Sequence, residues 1–255
     1  MTDAIALTPR APFSGLVDGR ALAPDRLARL SSAELAALRL PVEGQGSVPL
    51  GDLCRIAGAG TDTLRCEGDW SAVHGLGNAM AGGRLEVTGS AGRDAGAAMQ
   101  GGVLIVQGDA GANAGGARPG GSRGMTGGEI IILGQAGNET GARMRRGLIF
   151  VGGAAGEGTG RSMIAGTLVI AGAAGPQSGT WIKRGSLIAL AELTIPATYR
   201  YACSYHPPAV PLLLGRLARL YGARISSEQV RGRYRRFSGD LAESGKGEIL
   251  AWMAA

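Results

Sequence analysis

Apolar residues in the middle of this chain come in short alternating runs that return at a near-constant interval. The runs are Leu85–Val87, Val103–Val106, Glu129–Leu133, Leu148–Val151, Thr167–Ile170 and Ser186–Leu190. Side chains alternate across a strand. One set is therefore expected to point inward: Leu85/Val87, Leu104/Val106, Ile130/Ile132, Ile149/Val151, Leu168/Ile170 and Leu187/Ala189. The residues between them, Glu86, Ile105, Ile131, Phe150, Val169 and Ile188, form a second stripe that is apolar from the second run onward. Left bare, such a stripe marks an interface; the alternative is that the chain's own terminal segments cover it. Runs this short cannot form a domain singly. Stacked in register, each bonds to the run above and below at ~4.8 Å.

A repeated block, G-x-A-G-x-x-x-G-x-x-M-x-G-G-x-L-x-V, separates the runs. Its first three glycines recur as Gly89, Gly92, Gly96; Gly108, Gly111, Gly115; Gly134, Gly137, Gly141; Gly153, Gly156, Gly160; and Gly172, Gly175, Gly179. An alanine column (Ala91, Ala110, Ala136, Ala155, Ala174) and a methionine column (Met80, Met99, Met125, Met144, Met163, then Ile182) accompany them. Steps along the methionine column are 19, 26, 19, 19 and 19 residues, so one step carries a seven-residue insertion, 26 − 19, placed around Gly116–Gly124. The glycines read as corners that need positive φ or positions too tight for a Cβ. The methionines read as fillers of an irregular core. The predicted fold class is all-β: a parallel β-helix of about six 19-residue coils over residues 68–190, about 29 Å long. A dinucleotide fingerprint has one glycine cluster between a strand and a helix, and calcium-binding nonapeptide repeats need an Asp ladder; neither pattern is present.

The flanks differ. Residues 1–67 read as an N-terminal cap with strands leading into the first coil, capping being what solenoid ends require. A helix is expected within Pro24–Leu40, starting at Ser32, and strands over Val48–Ile56 and Thr63–Cys66. In the tail, residues 191–255, Pro207, Pro208 and Pro211 are expected to interrupt structure before a helix over Leu212–Tyr221 that ends at Gly222. The basic run Arg231–Arg236 reads either as a contact for an acidic surface or as a solvated arm.

Composition changes this picture little. Aromatics are 4% of 255 residues and Gly numbers 46, as a core of small aliphatic side chains requires. The net charge of +6 divides as −1, +3 and +4 over residues 1–67, 68–190 and 191–255, and 24 of the 26 basic residues are Arg. This modest positive field suits an anionic ligand or acidic partner. Nucleic acid is disfavoured because aromatic stacking platforms are not interleaved with the basic residues. No run is long and apolar enough to span a membrane. The start, Met1-Thr2-Asp3-Ala4, lacks the basic and apolar regions of a signal peptide. Three dispersed cysteines, Cys54, Cys66 and Cys203, point to a reducing, cytoplasmic location without disulfides. With no C-x-x-C and only His74 and His206, a metal centre in this chain is not expected, and no catalytic residues stand out. Gly245-Lys246-Gly247 lacks the upstream glycine of a phosphate loop.

The glycine coils resemble the C-terminal β-helix domain of glutamate synthase over residues 68–190. Further features extend the resemblance to most of the chain. These are the insertion ending Arg123-Gly124-Met125, the Met144–Gly147 block Met-Arg-Arg-Gly, and the tail from Ser238 to Ile249. With them the chain resembles the C-type subunit of formylmethanofuran dehydrogenase and its methylotroph counterpart, the C-type subunit of the formyltransferase/hydrolase complex. The resemblance implies a right-handed β-helix and a non-catalytic scaffold role. It implies a complex that transfers formyl groups from formyl-tetrahydromethanopterin to methylofuran, a methanofuran analogue, and hydrolyses them to formate. The metal lies on the hydrolase-like A-type subunit and the D-type subunit is the formyltransferase. The A-, B- and D-type subunits are the partners, in a dimer of heterotetramers. The chain by itself binds no cofactor. The alternatives are the C-type subunit of a molybdenum or tungsten formylmethanofuran dehydrogenase, and a structural module like that of glutamate synthase.

The furan coenzymes of this family carry an anionic, glutamate-containing tail, and the sequence offers a possible track for it. Arg145 and Lys183 share one column and Arg146 and Arg184 the next, each pair two coils or about 10 Å apart. Arg143 and Arg161 are near, and Arg118 and Arg123 lie in the insertion. Guanidinium groups make charge-assisted, often bidentate bonds to carboxylates. The alternative is that these side chains are solvated corners or salt bridges to another subunit.

Overall fold

The computed structural model describes residues 4–254. The N-terminal part contains β1 (Ile5–Pro9), β2 (Val17–Asp18), α1 (Pro24–Leu27), α2 (Ser32–Ala37), β3 (Arg39–Val42), β4 (Gly46–Pro49), α3 (Leu50–Leu53), β5 (Cys54–Ala57) and β6 (Thr63–Cys66). The repeats contribute β7 (Val73–His74), β8 (Arg84–Val87), β9 (Val103–Val106), β10 (Glu129–Ile132), β11 (Leu148–Val151), β12 (Thr167–Ile170) and β13 (Arg184–Ala189). The tail adds β14 (Arg200–Tyr205), α4 (Ala209–Tyr221), α5 (Ser227–Arg231), β15 (Tyr234–Gly239) and β16 (Lys246–Trp252).

Twelve strands form one sheet in the order β14-β15-β16-β13-β12-β11-β10-β9-β8-β6-β1-β5, and β4-β3-β2-β7 form a second. From β16 to β1 every neighbour in the large sheet is parallel. Register follows the repeat: Leu85, Leu104, Ile130, Ile149, Leu168 and Leu187 are successive partners. A second parallel ladder of single bridges joins Trp70, Ala91, Ala110, Ala136, Ala155 and Ala174. The chain therefore returns to both ladders once per repeat, and the 26-residue step is absorbed between Gly115 and Met125 without loss of register.

The glycine columns divide by mechanism. Gly96, Gly115, Gly141, Gly160 and Gly179 have φ of +63° to +75°. The second glycine of each block instead faces the backbone of the previous coil, so that a Cβ on Gly137 would lie 2.6 Å from Ala112 N. A further column has positive φ and packs on methionine: a Cβ on Gly102, Gly128, Gly147 or Gly166 would meet Cε of Met80, Met99, Met125 or Met144 at 2.6–2.7 Å. All five methionines of the column are fully buried, and so is the expected inward strand set. The methionine core and the glycine corners are one packing arrangement repeated.

The outward stripe departs from the interface reading. Ile105, Ile131, Phe150, Val169 and Ile188 are buried under Val210, Leu214 and Leu217 of α4, with Tyr234 and Leu250 beside them. The chain's own tail covers the stripe because α4 presents an apolar face of matching length. Arg216 Nη2 donates to Glu129 Oε1 at 2.7 Å and Tyr221 Oη to Glu129 Oε2 at 2.5 Å, fastening that helix to β10.

Other flanking expectations change in detail. The helix expected at Ser32 begins there, with a capping box between Ser31 and Glu34. The strand expected over Val48–Ile56 is split by α3, whose Leu50 is buried. The tail helix starts at Ala209 rather than Leu212, because Pro211 falls in its first turn, where a backbone N–H has no helical acceptor. Gly222, at φ +67°, ends it as expected. The basic run is not a free arm, although Arg231, Arg233 and Arg235 stay exposed without a carboxylate partner among the described residues. Its residues 234–236 are in β15, where Arg236 Nε lies 2.9 Å from Glu248 Oε2. β16 extends the parallel ladder by one rung, Ile249 on Leu187.

Buried tyrosines make stability sensitive to alkali. Tyr199 Oη donates to Gly179 O at 2.9 Å and Tyr234 Oη to Gln229 O at 2.6 Å. Burial raises the pKa of Tyr199, Tyr221 and Tyr234. A phenol whose pKa is raised on folding contributes stability in full below its unfolded value of about 10 and loses it as pH climbs toward the folded value. Urea midpoints are expected to fall above about pH 10, and Tyr234→Phe to soften that fall; an unchanged midpoint up to about pH 11 rejects the assignment. Burial also pushes the Cys54 thiol up to about 11 and holds Cys66 well above its ordinary value, so both stay protonated and unreactive near neutrality.

Candidate functional site

The corner between the second and third glycines of each block is lined on its outside by polar residues. Asp94, Asn113, Glu139 and Gln177 occupy it at φ of +57° to +63°, with Gly158 in the remaining coil. Asp and Asn accept this conformation more readily than most residues. Two adjoining hollows follow these corners. The first, about 1060 Å³, lies between the N-terminal part and the first repeats and is lined by Arg20, Arg26, His74, Arg93, Arg118 and acidic neighbours. The second, about 650 Å³, continues past the insertion and is lined by Arg93, Arg118, Arg143, Arg161 and Trp181.

Most charges in this trough are mated. Arg20 Nε lies 2.9 Å from both carboxylate oxygens of Asp18, and this bond holds the Asp18 carboxyl below its usual value. Arg93 lies 3.1 Å from Asp94, whose Oδ1 also accepts from Asn113 Nδ2 at 2.6 Å. Arg161 is 3.8 Å from Glu139, and its guanidinium stands 4.5 Å over the Trp181 ring. Arg26 donates to the carbonyls of Arg20 and Asn78. Among the described residues, Arg118 and Arg143 have no carboxylate partner; Arg143 Nη1 donates to Gly121 O at 3.1 Å. Glu43 and Glu157 also line the trough without an ion-pair partner among the described residues, so its charge is mixed.

The arginines singled out in the sequence separate into two groups. Arg118 and Arg143 face the trough. Arg123, Arg145, Arg146, Lys183 and Arg184 line neither hollow and are exposed. Arg145 N and Lys183 N donate to Met125 O and Met163 O, each at 2.8 Å, so they occupy the same place two coils apart, as the columns predict. Lys183 Nζ is 3.7 Å from Glu243, and Arg184 pairs in register with Lys246. Sequence reasoning missed Arg93, His74 and Trp181 as trough residues. Trp181 was detectable, since it is the one aromatic in the column that holds Ala79, Ala98, Arg143 and Ser162. His206 lies elsewhere, its Nδ1 3.1–3.2 Å from two backbone carbonyls. Among the described residues no three His, Cys, Asp or Glu side chains converge as metal ligands would, and no helix is long and apolar enough to cross a membrane.

Comparison with solved structures adds a full-length relative. At 34% identity and a TM-score of 0.79, the match covers 98% of this chain and 100% of a chain in the X-ray crystal structure of the formyltransferase/hydrolase complex (FhcABCD) from Methylorubrum extorquens in complex with methylofuran. This chain belongs to that family. No family model and no curated protein matches it. Membership agrees with the formyltransferase/hydrolase likeness read from the glycine blocks, the insertion and the tail. Because the match covers the relative from end to end, it takes in the segments on both sides of the repeats as well as the repeats themselves.

Proposed function

We propose that this chain is the C-type subunit of a cytoplasmic formyltransferase/hydrolase complex and acts there as a non-catalytic scaffold. The observation that carries the reading is the full-length match to a chain of that complex. Two parallel ladders, each revisited once per repeat, support a parallel β-helix over 68–190, capped by residues 1–67 and closed by 191–255, with the right hand that the resemblance implies. Formyl transfer to methylofuran and hydrolysis to formate then fall to the partners. The metal belongs to the hydrolase-like partner and formyl transfer to a separate formyltransferase, the four kinds of polypeptide pairing as a dimer of heterotetramers.

Within that role, Arg118 and Arg143 are the residues we assign to the anionic tail of the furan coenzyme. They lie on one trough and lack carboxylate partners among the described residues, so two carboxylates could be bound without displacing an existing ion pair. Arg145, Arg146, Arg123 and Arg184 are exposed and line neither hollow, which suits them better to protein carboxylates.

Affinity purification of the chain from its host, with mass spectrometry of co-purifying proteins and small molecules, tests the reading. Recovery of an amidohydrolase-like protein, a formyltransferase and a glutamylated furan coenzyme is the expected result. Molybdopterin or tungsten with iron–sulfur proteins would move the assignment to the dehydrogenase; recovery of the chain alone would reject it. The double variant Arg118→Glu/Arg143→Glu is expected to lower retained coenzyme by at least about tenfold while the complex persists, whereas Arg145→Glu/Lys183→Glu leaves it near the wild-type level. Equal retention in both rejects the trough assignment.

A further inference from the structure

Helix α4 has two faces. Val210, Leu214 and Leu217 pack on the sheet. Leu212, Gly215 and Arg219, at i, i+3 and i+7, lie on the opposite face, and all three are exposed. Leu212 is 77% exposed and Leu220, at the edge of that face, 52%. Most glycines of this chain have an internal reason, a positive φ or a backbone that a Cβ would strike. Gly215 has neither: it sits mid-helix with nothing within 4 Å of a Cβ built on it. A glycine there costs the isolated chain helix stability and returns nothing within the fold.

We propose that this face is a docking surface for a helix of another subunit, one with carboxylates beside its contact stripe. The proposal rests on the reading of the chain as part of a larger complex and names a contact that reading does not assign. A residue without a side chain beside the exposed Leu212 lets a second helix approach at the short end of interaxial distances, with Leu212 filling its groove. Charge selects the partner. Residues 209–225 carry Arg216, Arg219 and Arg224 and no acid. Arg216 is engaged by Glu129, while Arg219 on the exposed face and Arg224 beyond the end of the helix have no carboxylate partner among the described residues. A bilayer surface fits less well: it gains from bulky apolar side chains, and a glycine at the centre of the face contributes nothing to insertion.

The test compares Gly215→Ala and Gly215→Gln in the full chain, alone and co-expressed with the other members of the complex, with a benzophenone amino acid substituted for Leu212 to trap what lies on the face. Alone, Gly215→Ala is expected to raise Tm by about 2–4 °C, because the glycine has no intramolecular role. In the complex, Gly215→Gln is expected to weaken assembly by at least about tenfold. The cross-link at position 212 should fall on an acidic helical segment of a different polypeptide. Wild-type assembly by Gly215→Gln overturns the docking face alone, as does flotation of the chain with phosphatidylglycerol vesicles through Leu212. Failure of the unsubstituted chain to assemble overturns the reading as a complex member and the docking face together.

Discussion

Gly137→Ala is expected to destabilise the chain by about 3–5 kcal/mol, a large share of the stability of a typical domain. The new Cβ would lie 2.6 Å from Ala112 N and 2.8 Å from Gly111 C, both backbone atoms of the preceding coil. Those atoms cannot withdraw: Ala112 O accepts from Asp94 N at 2.8 Å, and Gly137 N itself donates to Ala110 O at 2.9 Å. Relief means separating two coils, which breaks the alanine ladder on both sides. Gly141→Ala is the control. There φ is +70°, and the nearest atom to a Cβ is Ile149 Cδ1 at 3.2 Å, the end of a side chain that can rotate. Only the left-handed backbone conformation opposes alanine, at about 1–2 kcal/mol. Chemical denaturation of the two variants measures the difference. Equal midpoints would mean that the coils are not in the close contact described.

Ile131→Arg is expected to cost a similar amount, about 3–5 kcal/mol, and to free the tail before the coils unfold. Ile131 has no exposed surface and lies in the cluster that joins the sheet to α4. An arginine there would be a buried charge without an acceptor, or would displace Val210, Leu214 and Leu217 from the strands. Limited proteolysis should then cut between β13 and β15 while a resistant fragment holding the coils survives. If Ile131→Arg keeps the wild-type Tm and protease pattern, the helix does not sit on that stripe.

Both expectations concern positions whose meaning the sequence left partly open. The glycine blocks announced a tight repeat, and each column has a steric or conformational reason for glycine. What the pattern could not separate was steric contact from backbone conformation: Gly137 and Gly141 look alike in sequence and differ only in which atoms surround them. The outward stripe is the same kind of case. Alternation placed Ile131 and Phe150 on the far face correctly, yet a covered stripe and a bare one have the same periodicity. For the candidate site, Arg118 and Arg143 were legible as cations in the insertion and at a corner. Their separation from Arg145 and Lys183 was not, because neighbours in sequence at a coil corner diverge to different edges.

By itself the sequence determined the strand runs, their inward face, the 19-residue return, the position of the insertion and the methionine core. These follow from local periodicity, and a repeat forces each coil to copy its neighbour's geometry. Only the tertiary structure decided that the tail covers the apolar stripe, that β16 adds a rung, that β1 enters between β6 and β5, and that two arginines share a trough with Trp181. Those outcomes depend on contacts between segments far apart in the chain, where non-repetitive sequence carries no period to read and packing complementarity alone selects the partner.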